Sequence, residues 1–326
     1  MTSVHLACAA MATRFEFVLH GERESALRAA GEEAIAEVHR IEAELSAFRP
    51  ESQIARLNRE AGRHAVRVTP ELLSLLQHAC QLSQATRGAF DITVGPLLKA
   101  WGFRQPTGQV PSHEELAAAT KCIGTDKIHF DPALHLVKFQ HAGVSVDLGA
   151  IGKGYALDRA ADLLREAEIT SALLHGGTST IVAVGSQPDG APWRVALDPP
   201  TLLARTPAPS GNTELPATPF AVVELRDESL SVSAVWGKGF EVEGTYYGHV
   251  IDPRAGRPVT GAWLAALVLP SATESDALST ALLVDGVPLQ ETLRLHLPGA
   301  RSLLVYPTAA SPGFAVSANG ITASTE

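Results

Sequence analysis

Cysteine is scarce in this chain, and long apolar runs are missing from it. The three cysteines, Cys8, Cys80 and Cys122, form no CxxC pair, which argues against a disulfide scaffold or a cysteine-rich zinc site and favours a reducing compartment. No stretch approaches ~20 uninterrupted apolar residues, so no membrane-spanning helix is predicted. Residues 1–11 also lack the basic start and apolar run of a signal peptide. We therefore expect Cys8 to lie in a first strand rather than to carry a lipid, and the protein to be cytoplasmic.

Positive charge is in deficit as well. The chain has 26 Lys and Arg against 35 Asp and Glu, a formal net charge of -9, and no run of basic residues forms a stripe. Binding to the nucleic-acid backbone depends on such cations, so nucleic acid is not expected as a partner. With 326 residues, 45% of them hydrophobic, the chain can bury a full core. We interpret it as one domain over residues 1–326, with a division into two lobes left open.

Hydrophobic periodicity predicts strands and helices without strict alternation. Phe15, Phe17 and Leu19 alternate as in a half-buried strand over 14–20, and apolar spacings of three and four predict a long helix over 22–48. Further strands are predicted at 143–148, 171–175, 193–197, 220–225, 262–269 and 302–306, and further helices at 70–88, after Ser112, at 155–168 and at 276–284. This mixture favours an α+β architecture over a doubly wound sheet.

Residues 199–219 are rich in Pro, Thr, Ser and Ala. Such a composition predicts a flexible surface insertion within the domain rather than a linker between domains. The sequence leaves two interpretations open, a solvated loop without function and an arm that grips the substrate.

Segment 146–158 joins a short apolar strand to an amphipathic helix through three glycines and Lys153. Glycines let backbone groups approach a ligand closely, and a lysine supplies charge for anionic oxygens. The segment therefore predicts a phosphate cradle. It is not a Walker loop, because Asp147 stands where that motif needs a glycine and Gly154 stands where it needs Ser or Thr.

Asp276 and Thr280 are four residues apart in a predicted helix. This spacing stacks a carboxylate and a hydroxyl on one helix face. Hard oxygen donors suit Mg²⁺, which completes its shell with phosphate oxygens and water. The alternative is an N-terminal cap followed by an ordinary helical threonine.

Two further segments carry candidate binding or catalytic residues. Asp91 and Thr93 follow a helix between aromatic residues, where they could hold a ligand against an apolar wall or only satisfy nearby backbone amides. His249 precedes a tight turn at 252–256 and titrates near neutrality, so it is able to move a proton. A lone histidine is more often structural, so the catalytic role is the less common alternative.

These segments, in this order, resemble the FAD:protein FMN transferases, also called the ApbE flavin transferases. The similarity runs from Met11-Ala12-Thr13 through residues 46–58 and the Phe90, Asp147, His249 and Asp276 segments, and so covers residues 11–286. It implies a T-fold-like α+β architecture with mixed or antiparallel sheets and packed helices. It also implies transfer of FMN from FAD to a Thr or Ser hydroxyl of an acceptor protein, with Mg²⁺ bound and AMP released.

The resemblance also implies roles for individual residues. It places the metal between Asp276, Thr280 and the backbone carbonyl of Ala150, with Lys153 near the phosphates. The residues that it implies for the flavin or adenine pocket are Met11, Phe48, Ala89, Phe90, Asp91, Asp147 and Ser233. His249 would border this pocket at the reacting centre, where either His249 or Asp276 would accept the hydroxyl proton.

Four positions depart from the family pattern. Ala12 and Ala234 stand where a glycine is usual, Phe48 replaces a tyrosine, and Thr178 replaces an aspartate. A methyl group at Ala234 would narrow the pocket or be incompatible with a positive φ. These changes motivate an alternative function, an FAD-binding protein that transfers nothing or slowly hydrolyses FAD. A sugar-phosphate or nucleotide enzyme that shares only the glycine-rich cradle is a third.

Overall fold

The computed structural model describes residues 1–104, 109–198, 219–309 and 313–323. The strands are β1 (Thr2–Ala10), β2 (Thr13–Gly21), β3 (Val66–Arg67), β4 (Ile128–Asp131), β5 (Leu136–Phe139), β6 (Ser171–Gly176), β7 (Thr180–Gly185), β8 (Trp193–Leu197), β9 (Ala221–Leu225), β10 (Ser229–Ala234), β11 (Gly239–Val242), β12 (Thr245–Gly248), β13 (Ile251–Asp252), β14 (Arg257–Pro258), β15 (Leu264–Leu269), β16 (Arg301–Pro307) and β17 (Phe314–Asn319). The α-helices are α1 (Glu24–Leu45), α2 (Gln53–Glu60), α3 (Pro70–Ala85), α4 (Gly95–Ala100), α5 (His113–Thr120), α6 (Gly152–Glu166), α7 (Ala272–Asp285) and α8 (Val287–His296).

One eight-stranded sheet organises the fold. Its strands run in the order β1-β2-β6-β7-β10-β15-β16-β17, and every neighbouring pair is antiparallel. The sheet therefore draws strands from both ends of the described chain. The remaining strands form small antiparallel units, three hairpins and a three-stranded sheet of β3, β5 and β4.

Both faces of the sheet are covered, by different elements. Helices α1, α6 and α7 pack on one face, and the β8–β9 hairpin packs on the other. Strand β15 is central and all six of its residues are buried. Its alternate residues belong to opposite cores: Ala265, Leu267 and Leu269 on the helix side, and Leu264, Ala266 and Val268 on the hairpin side. This double burial explains why the segment reads as a continuous apolar run.

Most predicted elements are present with shifted ends. The long first helix is α1, and the helix predicted after Ser112 is α5, which begins with the expected capping box between Ser112 and Glu115. Cys8 lies in β1, as expected. The antiparallel sheet with packed helices confirms the predicted α+β class.

The strand predicted at 143–148 is wrong. No strand forms there, because the amide side chain of Asn58 takes the place of a neighbouring strand: it donates to the carbonyl of Val146 at 2.9 Å and accepts from its N–H at 2.7 Å. The N–H of Asp147 then donates to the carbonyl of Ile92 at 2.7 Å. Extended backbone that is satisfied in this way has the apolar pattern of a strand without joining a sheet.

No helix among the described residues is long and apolar enough to cross a membrane. The insertion predicted at 199–219 lies outside the described residues, apart from Pro219.

Candidate active site

Asp276 lies in the first half of α7, with its carboxylate directed at the start of α6. The residue is only 4% exposed. Its oxygens accept from the N–H of Gly154 at 3.1 Å and from the hydroxyl of Thr180 at 3.3 Å, and both lie 3.4 Å from Nζ of Lys153. A buried carboxylate needs such partners, because removing it from water unpaired is costly. The phosphate-cradle segment and the predicted metal ligand therefore meet at one point.

Thr280 sits one turn beyond Asp276 on the same face of α7. Its hydroxyl donates to the backbone carbonyl of Asp276 at 3.3 Å and lies 3.1 Å from the hydroxyl of Ser233 on β10. The carboxylate and the hydroxyl are therefore one turn apart on α7, as their spacing predicts. The structure also brings Ser233 to this pair.

Lys153 bridges the carboxylate to the turn before α6. Its Nζ lies 3.3 Å from the carbonyl oxygen of Gly149, the residue before Ala150. A positive charge therefore sits between a carboxylate from one part of the chain and carbonyl groups from another. The arrangement marks a position where oxygen ligands converge on a cation.

The packing of α6 against α7 explains why residue 154 is a glycine. A Cβ at this position would collide with the carbonyl oxygen of Ala272 and lie 2.8 Å from Cβ of Asp276. The glycine therefore lets α6 and α7 approach closely and lets its N–H reach the Asp276 carboxylate. Approach to a ligand, the reason expected from the sequence, is not needed to explain it.

Asp147 is held at the opposite side of the same turn. One carboxylate oxygen accepts from the N–H of Gly149 at 2.9 Å, and the other accepts from Nη2 of Arg104 at 2.8 Å. The Arg104 and Asp147 side chains are only 22% and 15% exposed. Nε of Arg104 is buried and has no hydrogen-bond partner among the described residues. The guanidinium of Arg104 is therefore a second positive charge close to the turn, and one of its N–H donors is left without an acceptor.

The segment Ala89-Phe90-Asp91 is buried rather than open. The carboxylate of Asp91 accepts from the N–H of Thr93 at 2.7 Å and from its hydroxyl at 2.6 Å, and burial raises the pKa of this carboxyl. Thr93 in turn accepts from the N–H of Gly124 at 2.7 Å. Of the two alternatives left open by the sequence, these contacts match the local, backbone-satisfying one.

Glu42 connects Met11 to the residue that follows Phe48. The N–H of Met11 donates to Glu42 at 2.7 Å, and Glu42 pairs with Arg49, next to Phe48, at 2.8 Å. Phe48 is 72% exposed, one of the few large apolar side chains on the surface of the described chain. An exposed ring of this kind provides an apolar face on which a planar ring system can stack.

His249 immediately follows β12 and is half-buried. Its Nδ1 lies 3.1 Å from the carbonyl of Lys238. Because a carbonyl only accepts, Nδ1 must carry the proton, which leaves Nε2 as the free base. Burial lowers the pKa of His249; the hydrogen bond to the Lys238 carbonyl opposes this shift, and the charges of Lys238 and Lys153 add to it.

Comparisons with known proteins identify the family of this chain. The sequence profile of the ApbE family matches residues 11–299. The chain belongs to the ApbE family. The FAD:protein FMN transferase of Treponema pallidum is 30% identical over 295 residues, which cover 86% of this chain and 78% of that protein. The enzyme of the same name from Vibrio cholerae is 30% identical over 246 residues, covering 74% and 69%. The solved ApbE protein of Thermotoga maritima is 28% identical with a TM-score of 0.83, covering 98% of this chain and 97% of that one.

The Lys153 ammonium takes the place of the proposed metal ion, so its contacts test whether the groups at this position suit Mg²⁺. It is surrounded by the Asp276 carboxylate and the Gly149 carbonyl, which are hard oxygen donors of the type Mg²⁺ takes. One carboxylate with hydroxyl and carbonyl groups suffices for Mg²⁺ when phosphates complete the shell. No group of three or more His, Cys, Asp or Glu that could hold a metal occurs among the described residues. The donor set therefore fits a metal that arrives with a phosphorylated ligand.

Two features of this ApbE site escaped the sequence analysis. The first is Asp158 on α6, whose carboxylate accepts four hydrogen bonds of 2.6–2.9 Å from Ser271, Ala272 and Thr273 at the start of α7. Asp276 of α7 contacts the start of α6 in return. Each helix therefore caps the other, which fixes their relative position.

The second feature is a ladder of buried hydroxyl groups between β10 and α7. Ser229 and Ser231 both contact Ser275 at 3.0 and 2.9 Å, and Ser233 contacts Ser279 at 2.9 Å. The sequence pattern that indicates this ladder is a serine at every second position of β10, together with two serines four residues apart on α7. Period-two serines do not look like a buried face, so hydropathy alone missed both the strand and the ladder.

Proposed function

We propose that this ApbE-family enzyme transfers FMN from FAD to a Thr or Ser hydroxyl of an acceptor protein, with Mg²⁺ bound by Asp276, Thr280 and the carbonyl of Ala150. The acceptor oxygen forms a bond to the phosphorus of the FMN half while the bond from that phosphorus to the bridging oxygen breaks. AMP leaves with the bridging oxygen. The observation that carries the proposal is that the Asp276 carboxylate and the Gly149 carbonyl, which directly precedes Ala150, both contact the ammonium of Lys153.

Charge neutralisation is the main task of the residues at this position. The transition state of phosphoryl transfer spreads negative charge over the phosphate oxygens and the leaving group. Lys153 supplies a mobile positive charge there, since its contacts of 3.3–3.4 Å are long and replaceable. Mg²⁺, when bound, supplies Lewis-acid stabilisation of the same charge.

His249 is the residue we propose as the general base. Its proton is held on Nδ1 by Lys238, and its lowered pKa keeps Nε2 unprotonated at neutral pH. Asp276 is less suited to this role, because its carboxylate already accepts from Gly154 and Thr180 beside Lys153. The acceptor hydroxyl would therefore lose its proton to Nε2 of His249.

The flavin and adenine are proposed to contact Met11, Phe48, Asp147, Ser233 and the segment 89–91. Exposed Phe48 supports stacking, and Ser233 beside Thr280 supports contact near the metal. Because Ala89 and Phe90 are buried and the Asp91 carboxylate is occupied by Thr93, backbone groups of this segment are better placed for ligand contact than its side chains.

The alternative of a non-transferring FAD-binding protein or slow FAD hydrolase rested partly on Ala234. This residue lies in β10, paired with Leu264 in the regular antiparallel register, and it is not among the residues with positive φ. An alanine is therefore accommodated there without backbone strain. The geometry gives this alternative no advantage over transfer.

A labelling experiment tests the proposal. The chain is incubated with FAD, Mg²⁺ and candidate acceptor proteins, and a denaturing gel is scanned for covalent flavin fluorescence. Transfer predicts a fluorescent acceptor band that requires both FAD and Mg²⁺. FAD that binds without any labelled acceptor would leave the hydrolase or binding-protein alternative, and a chain that binds no flavin would revive the sugar-phosphate or nucleotide enzyme.

We also propose that the protein works in the cytoplasm. Cys8, Cys80 and Cys122 are all free, which suits a reducing compartment. Cell fractionation tests this, and recovery in an exported fraction would contradict it.

A further inference from the structure

A cleft of about 690 Å³ opens next to β12, among α5 and the β13–β14 hairpin. None of the residues assigned above to the cation site or the cofactor pocket lines it. Its floor is fixed, because the indole N–H of Trp101 donates to the carbonyl of Gly256 at 2.8 Å and the Trp101 ring lies 5.3 Å from that of Tyr247. A preformed cleft with aromatic walls is suited to binding, since little has to be ordered when a partner enters.

The cleft opens beside the proposed base. Tyr247 lines it and stands two residues before His249 in the chain. Two residues of extended chain span about 7 Å. A polypeptide that lies in the cleft would therefore have neighbouring residues within reach of His249.

The charge of the cleft is opposite to that of the chain as a whole. Lys121 and Arg257 line it and are exposed, and neither has an ion-pair partner among the described residues. His113 adds a third basic side chain, and no described lining residue is acidic. Arg254, three residues before Arg257, is by contrast paired with Asp252 and Asp285. Two unpaired cations on a largely apolar surface, in a chain of net charge -9, favour a partner with acidic side chains between apolar ones.

We infer that this cleft docks an acidic, partly apolar segment of the acceptor protein, next to the hydroxyl residue that receives FMN. The inference rests on the proposed function, because only a transferase needs an acceptor. The apolar walls contribute affinity, while Lys121 and Arg257 select acidic flanking residues and steer the encounter.

Peptide binding tests the docking surface without requiring turnover. Two fluorescently labelled synthetic peptides share a central threonine in an apolar context, one with Asp and Glu in the flanks and the other with Lys. Their binding to the protein in the presence of FAD and Mg²⁺ is followed by fluorescence anisotropy. We expect the acidic peptide to bind about tenfold more tightly than the basic one at low salt. The double variant Lys121→Glu/Arg257→Glu should lose or reverse this preference.

The control variant is Lys138→Glu, which reverses an exposed charge on β5 outside the cleft and should keep the wild-type preference. The FAD dissociation constant and the circular dichroism spectrum should be the same in all variants. Equal affinity for the two peptides, an unaltered preference in the double variant, or a loss of FAD affinity in it would each overturn the inference; the last result would assign the cleft to the dinucleotide.

The two proposals fail separately. If the acidic preference is found and depends on Lys121 and Arg257, but no acceptor is ever labelled with flavin, the docking surface stands and the transfer function falls. If acceptors are labelled and the double variant labels them with unchanged KM, the transfer function stands and the docking surface falls.

Discussion

At the scale of single residues, backbone strain at Met11 and Ala12 affects stability, and the protonation of His249 affects the pH dependence of transfer. Met11 and Ala12 form the two-residue turn between β1 and β2, and both have positive φ, 51° and 58°. Such a turn favours Asn and Gly, because a Cβ is crowded in the left-handed region. The turn carries one of the proposed cofactor-binding residues, so the strain is located beside the site.

Ala12→Gly should stabilise the protein by about 1 kcal/mol, because glycine adopts a positive φ without crowding. Chemical denaturation monitored by circular dichroism measures the change. The control is Ala36→Gly in the exposed middle of α1, which should destabilise by about 1 kcal/mol. Equal destabilisation by both substitutions would show that the turn is not strained.

The pH dependence of transfer follows from His249. Burial, with the charges of Lys238 and Lys153, lowers its pKa below the ordinary 6.5. Because the unprotonated ring is the base, the transfer rate should decrease at acidic pH, with the midpoint of the decrease below 6.5. His249→Gln should lower the rate by roughly 10²–10⁴ and remove this decrease while keeping FAD affinity. A rate profile centred above 6.5, or unchanged in the variant, would exclude this histidine as the base.

The lowered pKa of His249 also makes the folded protein less stable at acidic pH. Below 6.5 the unfolded chain binds a proton at His249 more readily than the folded protein does. The contribution of this group to stability is therefore present above pH 6.5 and is lost as pH falls through the window between 6.5 and the lower folded pKa.

At the scale of elements, the mutual capping of α6 and α7 fixes the relative positions of the side chains proposed to bind the metal and the phosphates. Asp158 accepts from the side chains and N–H groups that open α7, the helix that carries Asp276 and Thr280. A carboxylate at a helix N-terminus is also favoured by the helix dipole. We propose that Asp158 is a positioning residue, which acts on the metal site through α7 rather than by contact with substrate.

Asp158→Asn should therefore change the metal requirement as well as stability. The amide cannot accept at both positions, so about 1–2 kcal/mol of stability should be lost, and the Mg²⁺ concentration for half-maximal transfer should rise several-fold. Transfer assays at varied Mg²⁺ and saturating FAD measure this. Ser112→Ala removes the capping box of α5 and is the matched control: it should cost similar stability and leave the Mg²⁺ requirement unchanged. The same Mg²⁺ requirement in both variants would reduce Asp158 to a purely structural role.

Element prediction from sequence worked where local periodicity dominates. Helices α1 and α3 have regular apolar spacing, α3 also begins with the Thr69 cap and Pro70, and both were predicted. The 143–148 strand was predicted wrongly. The backbone N–H and carbonyl of Val146 bond to the side chain of Asn58, which lies 88 residues away in sequence, and not to a neighbouring strand. Strand β10 was missed because its inward face carries serines that pair with α7. Neither partner is visible in a local window.

At the scale of the whole molecule, the sheet brings together groups that are far apart in sequence. Lys153 and Asp276 are 123 residues apart and meet because α6 and α7 pack side by side on one sheet. The family resemblance placed both at the site. The Arg104 pair with Asp147 and the capping by Asp158 were not predicted, because long-range pairing of polar side chains leaves no periodic signal. We propose that the chain works as one domain, since a single sheet includes both β1 and β17.

We propose that one Mg²⁺ is held between α7 and the turn before α6, together with the FAD phosphates. The decisive measurement is the Mg²⁺ titration of flavin transfer by the wild type and by Asp276→Asn, an isosteric change that can still accept from Gly154. Glu274→Gln on the same helix, which pairs with His78 at 3.4 Å, is the control. We predict a saturable Mg²⁺ response for the wild type and Glu274→Gln, and transfer near background at every Mg²⁺ concentration for Asp276→Asn. A wild-type titration curve for Asp276→Asn would show that Asp276 does not bind the metal.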